Sequence, residues 1–216
     1  MKFILAKKEG MTRVFAEDGR ARAATILKAD PVTVTQVKTA EGKDKYSAVQ
    51  VGTGSRKAKN MSKAVLGHTK GVAYEALREF RDEEGSTKYE VGNEISADIF
   101  AVGDTVQVSG ISKGKGFQGV IKRHGFHGGP RTHGQKHSER APGSIGGGGG
   151  RAGGRVAKGM RMGGRMGGDR VTVKNLKVLA VDAAEGRIIV AGAVPGNRGA
   201  ILEIRAPASA KALAGK

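Results

Sequence analysis

The sequence predicts a mainly β protein, with its strands in a barrel or sandwich that a long basic segment interrupts. Short apolar runs separated by turn residues fill both ends of the chain. Such spacing is typical of antiparallel barrels and sandwiches rather than of parallel βαβ sheets. Residues 112–168, here called the basic segment, hold 20 of the 36 glycines and 12 of the 38 Lys and Arg, but a single acid. This composition makes the basic segment the first place to look for function.

Residues 1–53 are predicted to supply the N-terminal strands of the barrel. Asp18-Gly19 is a hairpin signal, and residues 7–10 and 41–44 carry the charged and glycine residues of turns. A further β-branched run follows Pro31. The strands expected between these limits are Phe3–Ala6, Thr12–Phe15, Ala23–Lys28, a segment containing Val32, Val34 and Val37, and Tyr46–Gly52.

Residues 54–98 are predicted to form a small α+β subdomain inserted between barrel strands. A basic loop at residues 54–60 leads into a short helix through Leu66, which either Asn60 or Ser62 is suited to cap. The run Val72–Arg81 fits a helix or a strand equally well, and residues 82–86 form an acidic turn.

The remaining β-structure is predicted on both sides of the basic segment. Residues 99–111 return to a strand pattern before it, and residues 169–206 supply the C-terminal barrel strands after it. Residues 207–216 are expected to be a flexible tail. The C-terminal strands are predicted at Arg170–Val173, Leu176–Val181, Arg187–Ala191 and Ala200–Arg205, with a turn at Asn175.

The basic segment holds too few large apolar residues to fold by itself. Fixing each backbone residue costs roughly 1–2 kcal/mol, whereas burying one large apolar side chain contributes about 1.5–3 kcal/mol. We therefore expect an external partner to order it. With a net charge of +18 and a pI near 10.4, that partner is expected to be a nucleic acid rather than an anionic membrane. The low aromatic content of 4% argues against a protein that works mainly by stacking bases.

The candidate RNA-binding residues are the cations and imidazoles of this segment, with a second basic cluster in the insertion. Lys and Arg neutralise phosphates, and His donates hydrogen bonds to phosphate, ribose or base edges. The first set is Lys113, Lys115, Lys122, Arg123, His124, His127, Arg131, His133, Lys136, His137, Arg140, Arg151, Arg155, Lys158, Arg161 and Arg165. The second set is Arg56, Lys57, Lys59 and Lys63.

Catalytic, cofactor and metal sites are not expected. Residues 114–119 match G-x-G-x-x-G, but the helix and second parallel strand of a dinucleotide site are missing. Four His without a thiolate, and with Glu139 as the nearby acid, would be an unusual zinc site. No apolar run is long enough for a membrane span or a signal peptide. A generic polyanion-binding protein remains the main alternative, and an enzyme or a metalloprotein is the other.

Several runs of the sequence resemble the large-subunit ribosomal protein L3 family in its bacterial form. The similarity is strongest in the basic segment, beginning with SKGKGFQGVIKRH, and it continues near both ends of the chain. The runs that carry it are Ser112–His124, His127–Pro130, Arg140–Gly146, Gly159–Gly167, Gly10–Phe15, Val171–Val173 and Gly192–Gly196.

The resemblance implies a translation-protein-type β-barrel on the outside of the large ribosomal subunit, in the cytoplasm. It also implies that the basic segment is a long, glycine-rich extension that enters 23S rRNA toward the peptidyl transferase centre. Such a protein binds rRNA early in assembly, takes no chemical part in peptide transfer and has no small-molecule substrate. Its neighbours would be the fourteenth and nineteenth large-subunit proteins. Bacterial members commonly carry a Gln, methylated in some, where Gly149 stands here.

Overall fold

The computed structural model describes residues 2–15, 19–42, 44–81, 89–145, 156 and 158–207, and they fold as two compact units. The β unit comprises residues 1–111 and 170–216, and the extension unit comprises Ser112–Asp169. The mainly β prediction is confirmed. The elements are β1 Phe3–Phe15, β2 Ala21–Lys28, β3 Val32–Lys38, β4 Ala48–Thr53, α1 Lys63–His68, β5 Ala76–Arg81, β6 Glu94–Ile95, β7 Thr105–Ile111, β8 Phe117–Gln118, α2 Val120–His124, β9 Gly164–Arg165, β10 Arg170–Asp182, β11 Arg187–Ala191 and β12 Ile201–Arg205.

Six strands of the β unit close into an antiparallel barrel in the order β1-β12-β7-β10-β11-β2. Alternating apolar residues fill it, as in β7, where Val106 and Val108 are buried, and in β11, where Ile188 and Val190 are buried. Closure pairs every barrel strand on both sides, so this sheet has no exposed edge.

Two predicted turns are instead bulges inside long strands. Residues 7–10 lie within β1, which pairs with β12 through its first half and with β2 through its second, and the register shifts between Lys8 and Gly10. Asn175, with φ of 60°, lies inside β10 where the register against β7 shifts between Val173 and Leu176. The turn predictions were wrong because bulges and turns use the same residue types, and only long-range pairing tells them apart.

A second sheet with the order β5-β4-β3-β6 corrects the predicted membership of two strands. Strands β3 and β4, which the sequence predicts in the barrel, pair instead with each other, and their outer partners are β6 and β5, respectively. The ambiguous run Val72–Arg81 contains strand β5, because its residues complete the edge of this sheet beside β4. An alternating pattern identifies a strand but does not specify which strand is its partner.

Smaller predictions in the β unit are refined by the structure. Ser62 caps α1, its Oγ accepting a hydrogen bond from the backbone N–H of Val65 at 3.4 Å. The strand expected over residues 99–111 begins only at Thr105, because Ala97–Ile99 form a 3-10 turn that a loop follows. The predicted turn at residues 82–86, residues 16–18 of the predicted hairpin and residues 208–216 of the predicted tail lie outside the described residues.

The barrel and the second sheet share one apolar core. Phe3 of β1 and Phe80 of β5 are both about 1% exposed and stack with their ring centroids 4.3 Å apart. Glu203 of β12 forms ion pairs with Arg78 of β5 and with Arg170 of β10. These contacts join the two sheets through apolar and charged side chains alike. No helix in the described part of the chain is long and apolar enough to cross a membrane.

Candidate nucleic-acid interface

The extension unit begins and ends as an antiparallel ribbon formed by its two chain segments. The backbone N–H of Ser112 donates to the Asp169 carbonyl at 2.8 Å, and the N–H of Lys115 donates to the Met166 carbonyl at 2.9 Å. Farther along, β8 and β9 pair with Phe117 opposite Arg165. The basic segment therefore holds its two ends together with its own backbone hydrogen bonds.

Some of its glycines are needed by the chain's own packing. A Cβ on Gly167, which has φ of 77°, would lie 2.1 Å from the Lys113 carbonyl oxygen. A Cβ on Gly128, which has φ of 81°, would lie 2.2 Å from the Glu139 carbonyl oxygen. Both positions combine a left-handed backbone with a close approach that other L-residues disfavour. At these two positions the near neighbour of the glycine is the backbone of the chain itself.

A short helix holds two of the predicted RNA-binding residues against the returning segment. Gly125, in the left-handed region, ends α2 with its N–H donating to the Ile121 carbonyl at 2.9 Å. From this helix, Arg123 Nη1 donates to the Met162 carbonyl at 2.8 Å. Nε2 of His124 lies 3.1 Å from the same oxygen. Because a carbonyl oxygen only accepts hydrogen bonds, this ring nitrogen is the donor. Arg123 and His124 thus also hold the extension unit together.

The loop after α2 presents the next group of predicted residues. Its single acid, Glu139, pairs with Arg131 through an Nε–Oε1 distance of 2.5 Å, and its carbonyl accepts the N–H of Gly129 at 2.9 Å. His133 sits at φ of 58°, a left-handed conformation. With the acid already paired, the remaining polar groups here are predominantly cations and imidazoles.

Most of the predicted residues of the extension unit are exposed, and nine of the exposed members are Lys or Arg. Among the unit's described residues, Val120 is the only one that is buried. Arg123 and His124 are half-buried, whereas Arg151 and Arg155 lie outside the described residues. The exposed members are Lys113, Lys115, Lys122, His127, Arg131, His133, Lys136, His137, Arg140, Lys158, Arg161 and Arg165.

The second predicted cluster lies in the β unit, around α1. Arg56, Lys57, Lys59 and Lys63 are all exposed, on a loop, on the 3-10 turn Ala58–Asn60 and on the first turn of α1. The N–H of Arg56 donates to the Ala73 carbonyl at 2.9 Å, which fixes the start of this loop. A shallow cavity of about 270 Å³ opens beside it, lined in part by Arg56, Ser62 and Tyr74.

One exposed aromatic residue of the extension unit is absent from the predicted RNA-binding set. Phe117 of β8 is 80% exposed on the ribbon of the extension unit. The sequence does not predict this exposure, because a strand pattern alone does not reveal that a particular Phe lacks cover. Within the described residues, no cluster of three or more His, Cys, Asp or Glu is placed to hold a metal ion.

The fold and the charge distribution define a class of protein: a β-barrel protein that carries a cationic, largely unburied extension. The chain belongs to the ribosomal protein L3 family, whose signature matches residues 33–187. It is 47% identical to the large ribosomal subunit protein uL3 of Pelotomaculum thermopropionicum, covering 97% of this chain and 99% of that protein. The uL3 proteins of Thioalkalivibrio sulfidiphilus (48% identical, 96% and 98% covered) and Carboxydothermus hydrogenoformans (45% identical, 94% and 96% covered) are similarly close.

Proposed function

We propose that the protein is a structural, non-enzymatic constituent of the large ribosomal subunit in the cytoplasm and binds 23S rRNA through its extension unit. The observation that carries this proposal is the pairing of family membership with the exposed cations of that unit. The relatives named above are large ribosomal subunit proteins, and this chain matches them along almost their whole length. A cationic surface with little buried apolar area suits a partner made of closely spaced phosphates.

The mechanism is electrostatic and conformational. Exposed Lys and Arg side chains of the extension unit release counterions from rRNA phosphates, and this release supplies affinity without base recognition. The paired ribbon formed by residues 112–118 and 164–169 presents these cations on two antiparallel segments. RNA folded around such an arm contacts it from several sides, as in recognition of RNA by shape.

The resemblance to the family supports a finer proposal about placement within the subunit. The closed barrel of the β unit is proposed to be of the translation-protein type and to lie at the outside of the subunit. The extension unit is proposed to point toward the peptidyl transferase centre and to support rRNA there. The protein is also proposed to bind early in assembly, near the 3′ end of 23S rRNA. Its proposed neighbours are the fourteenth and nineteenth large-subunit proteins. The Arg56–Lys63 cluster is proposed as a second rRNA contact.

The salt dependence of binding to a 23S rRNA transcript tests the role of the extension unit. Residues 119–163 are replaced by an Asn-Gly turn joining Gln118 to Gly164, which are paired in the native ribbon. This deletion removes nine Lys or Arg. If about half of them contact phosphates, the slope of log K against log salt concentration becomes shallower by about 4. An unchanged slope would contradict the proposal.

A second measurement separates ribosomal binding from general attraction to polyanions. The protein should remain with large subunits through a high-salt wash, and it should prefer 23S rRNA to an unrelated RNA of equal length. Equal affinity for both RNAs, or loss of the protein in the wash, would favour a generic polyanion-binding protein instead.

A further inference from the structure

Phe117 is a large apolar side chain that the extension unit leaves uncovered. Its side chain is 80% exposed. The second phenylalanine of this unit, Phe126, is half-buried, and its ring centroid lies 6.0 Å from that of His124. Water contact with an aromatic ring is unfavourable, and covering it is favourable in proportion to the apolar area removed from water. The position of Phe117 therefore indicates a partner surface.

The backbone and one edge of the ring are held in place by the ribbon. Phe117 is paired with Arg165 across β8 and β9. The ring rests over Gly163, where a Cβ would lie 3.3 Å from the Cε1 and Cζ atoms of Phe117. Glycine at this position lets the ring lie close to the returning segment while most of its surface faces solvent. A ring positioned in advance loses little conformational freedom when a flat partner stacks on it.

The charges around Phe117 indicate the chemistry of that partner. Lys113, Lys115 and Arg165 are exposed on the same ribbon. A nucleotide combines a flat π-surface for the ring with a phosphate for these cations, and unstacked RNA bases are commonly bound on aromatic side chains.

We propose that Phe117 is a stacking platform for one unstacked base of RNA, and that Lys115 and Arg165 contact the phosphates flanking that base. This inference rests on the proposed function, because the RNA it names is the rRNA bound by the extension unit. Stacking on Phe117 requires an accessible base, whereas the other contacts proposed for this surface depend on charge. A loop or bulge fits this site better than a continuous duplex, whose bases are covered by their neighbours.

Equilibrium binding of the full chain to a 23S rRNA transcript tests the proposal. Phe117→Ala is expected to weaken binding about tenfold, because one base–aromatic stack is lost. The salt slope should remain unchanged, since no charge is removed. Phe117→Tyr should bind within about twofold of wild type because stacking is retained, and Phe117→Leu should behave like Phe117→Ala because it lacks a π-face.

The matched control is Phe15→Ala, since Phe15 is 68% exposed at the end of β1 in the β unit. Its affinity should equal that of wild type. Equal binding by wild type and Phe117→Ala, or full binding by Phe117→Leu, would overturn the proposal. So would a fall of more than about 4 °C in the Tm of the free Phe117→Ala protein, because it would show that the ring packs on its own chain.

A photocrosslink identifies the partner directly. With p-benzoylphenylalanine at position 117, irradiated large subunits should yield a crosslink to rRNA. A crosslink to a protein alone would overturn the proposal. Failure of the proposed function looks different, because wild-type protein would then bind 23S rRNA no better than unrelated RNA and replacing residues 119–163 would leave the salt slope unchanged.

Discussion

At the scale of single residues, a three-way contact on the second sheet contributes to the pH dependence of stability. Lys38 Nζ lies 2.8 Å from Glu79 Oε1, and it donates to the Tyr46 hydroxyl at 2.9 Å. The Tyr46 hydroxyl in turn donates to Glu79 Oε2 at 2.9 Å. The hydrogen bond from Lys38 lowers the pKa of the Glu79 carboxyl, and the same contact raises the pKa of Lys38. Both shifts favour the charged pair.

The lowered pKa of Glu79 predicts a specific dependence of stability on pH. The stabilisation is fully present above the ordinary pKa of the carboxyl, about 4.5, and is lost as pH falls through the lower folded-state pKa. Glu79→Gln should therefore be less stable than wild type at pH 7, and the difference should shrink below about pH 4. Urea denaturation at a series of pH values measures it. Glu94→Gln, at an exposed position on the same sheet, is the control. A difference that persists unchanged at pH 2 would contradict the assignment.

At the scale of elements, the ribbon of the extension unit depends on close backbone approach. The N–H of Met166 donates to the Gly116 carbonyl at 3.0 Å, and the N–H of Gly168 donates to the Ser112 carbonyl at 3.2 Å. Gly167 lies between these contacts, so a side chain there would push apart the two segments that carry the exposed cations.

Gly167→Ala is predicted to open this ribbon. The new Cβ would meet the Lys113 carbonyl oxygen, and the left-handed backbone adds a cost of roughly 1–2 kcal/mol. Hydrogen exchange at the amides of Lys115 and Met166 should be faster than in wild type. Gly114→Ala in the same ribbon is the matched control, because a Cβ there meets nothing within 4 Å. Equal protection of these amides in both variants would show that the approach at Gly167 is not required.

At the scale of the whole molecule, a shared core predicts that the barrel and the second sheet unfold together. Phe80 stacks on Phe3, and the guanidinium of Arg205 lies 4.8 Å from the Phe80 ring centroid. Phe80→Ala should lower the free energy of unfolding by about 3–5 kcal/mol, because it leaves a cavity between the two sheets. Chemical denaturation should remain a single transition. Phe15→Ala should change stability by less than about 0.5 kcal/mol, and two separate transitions in Phe80→Ala would contradict a common core.

The ion pairs of Glu203 also connect the barrel to the second sheet, and their contribution to stability can be measured separately. Its side chain is 11% exposed and faces Arg78, Arg170 and Arg205. Glu203→Ala leaves these cations without that carboxylate and should cost about 1–3 kcal/mol. The control is Glu185→Ala, which removes an exposed partner of Arg187 and should cost less than about 1 kcal/mol. Thermal unfolding of both variants compares the two, and equal losses would contradict a special role for Glu203.

The residue pattern alone was enough to identify most strands and the candidate interface. Alternating apolar residues predicted β11 and β12 close to their observed bounds, because each local pattern fits a strand with one buried face. The concentration of Lys, Arg and Gly in residues 112–168 likewise depends only on composition. Its RNA-binding role remains a prediction.

Only the tertiary structure decided which strands pair and which side chains stay uncovered. Contacts between residues distant in sequence decide that β3 and β4 join a second sheet, that bulges form at Gly10 and Asn175, and that Phe117 is exposed. The structure also decides between Asn60 and Ser62 as the cap of α1, in favour of Ser62. The chemistry of a residue determines whether it suits a strand, a turn or the protein surface. Its partner is set by the balance of burial and backbone pairing over the whole chain, which no local window contains.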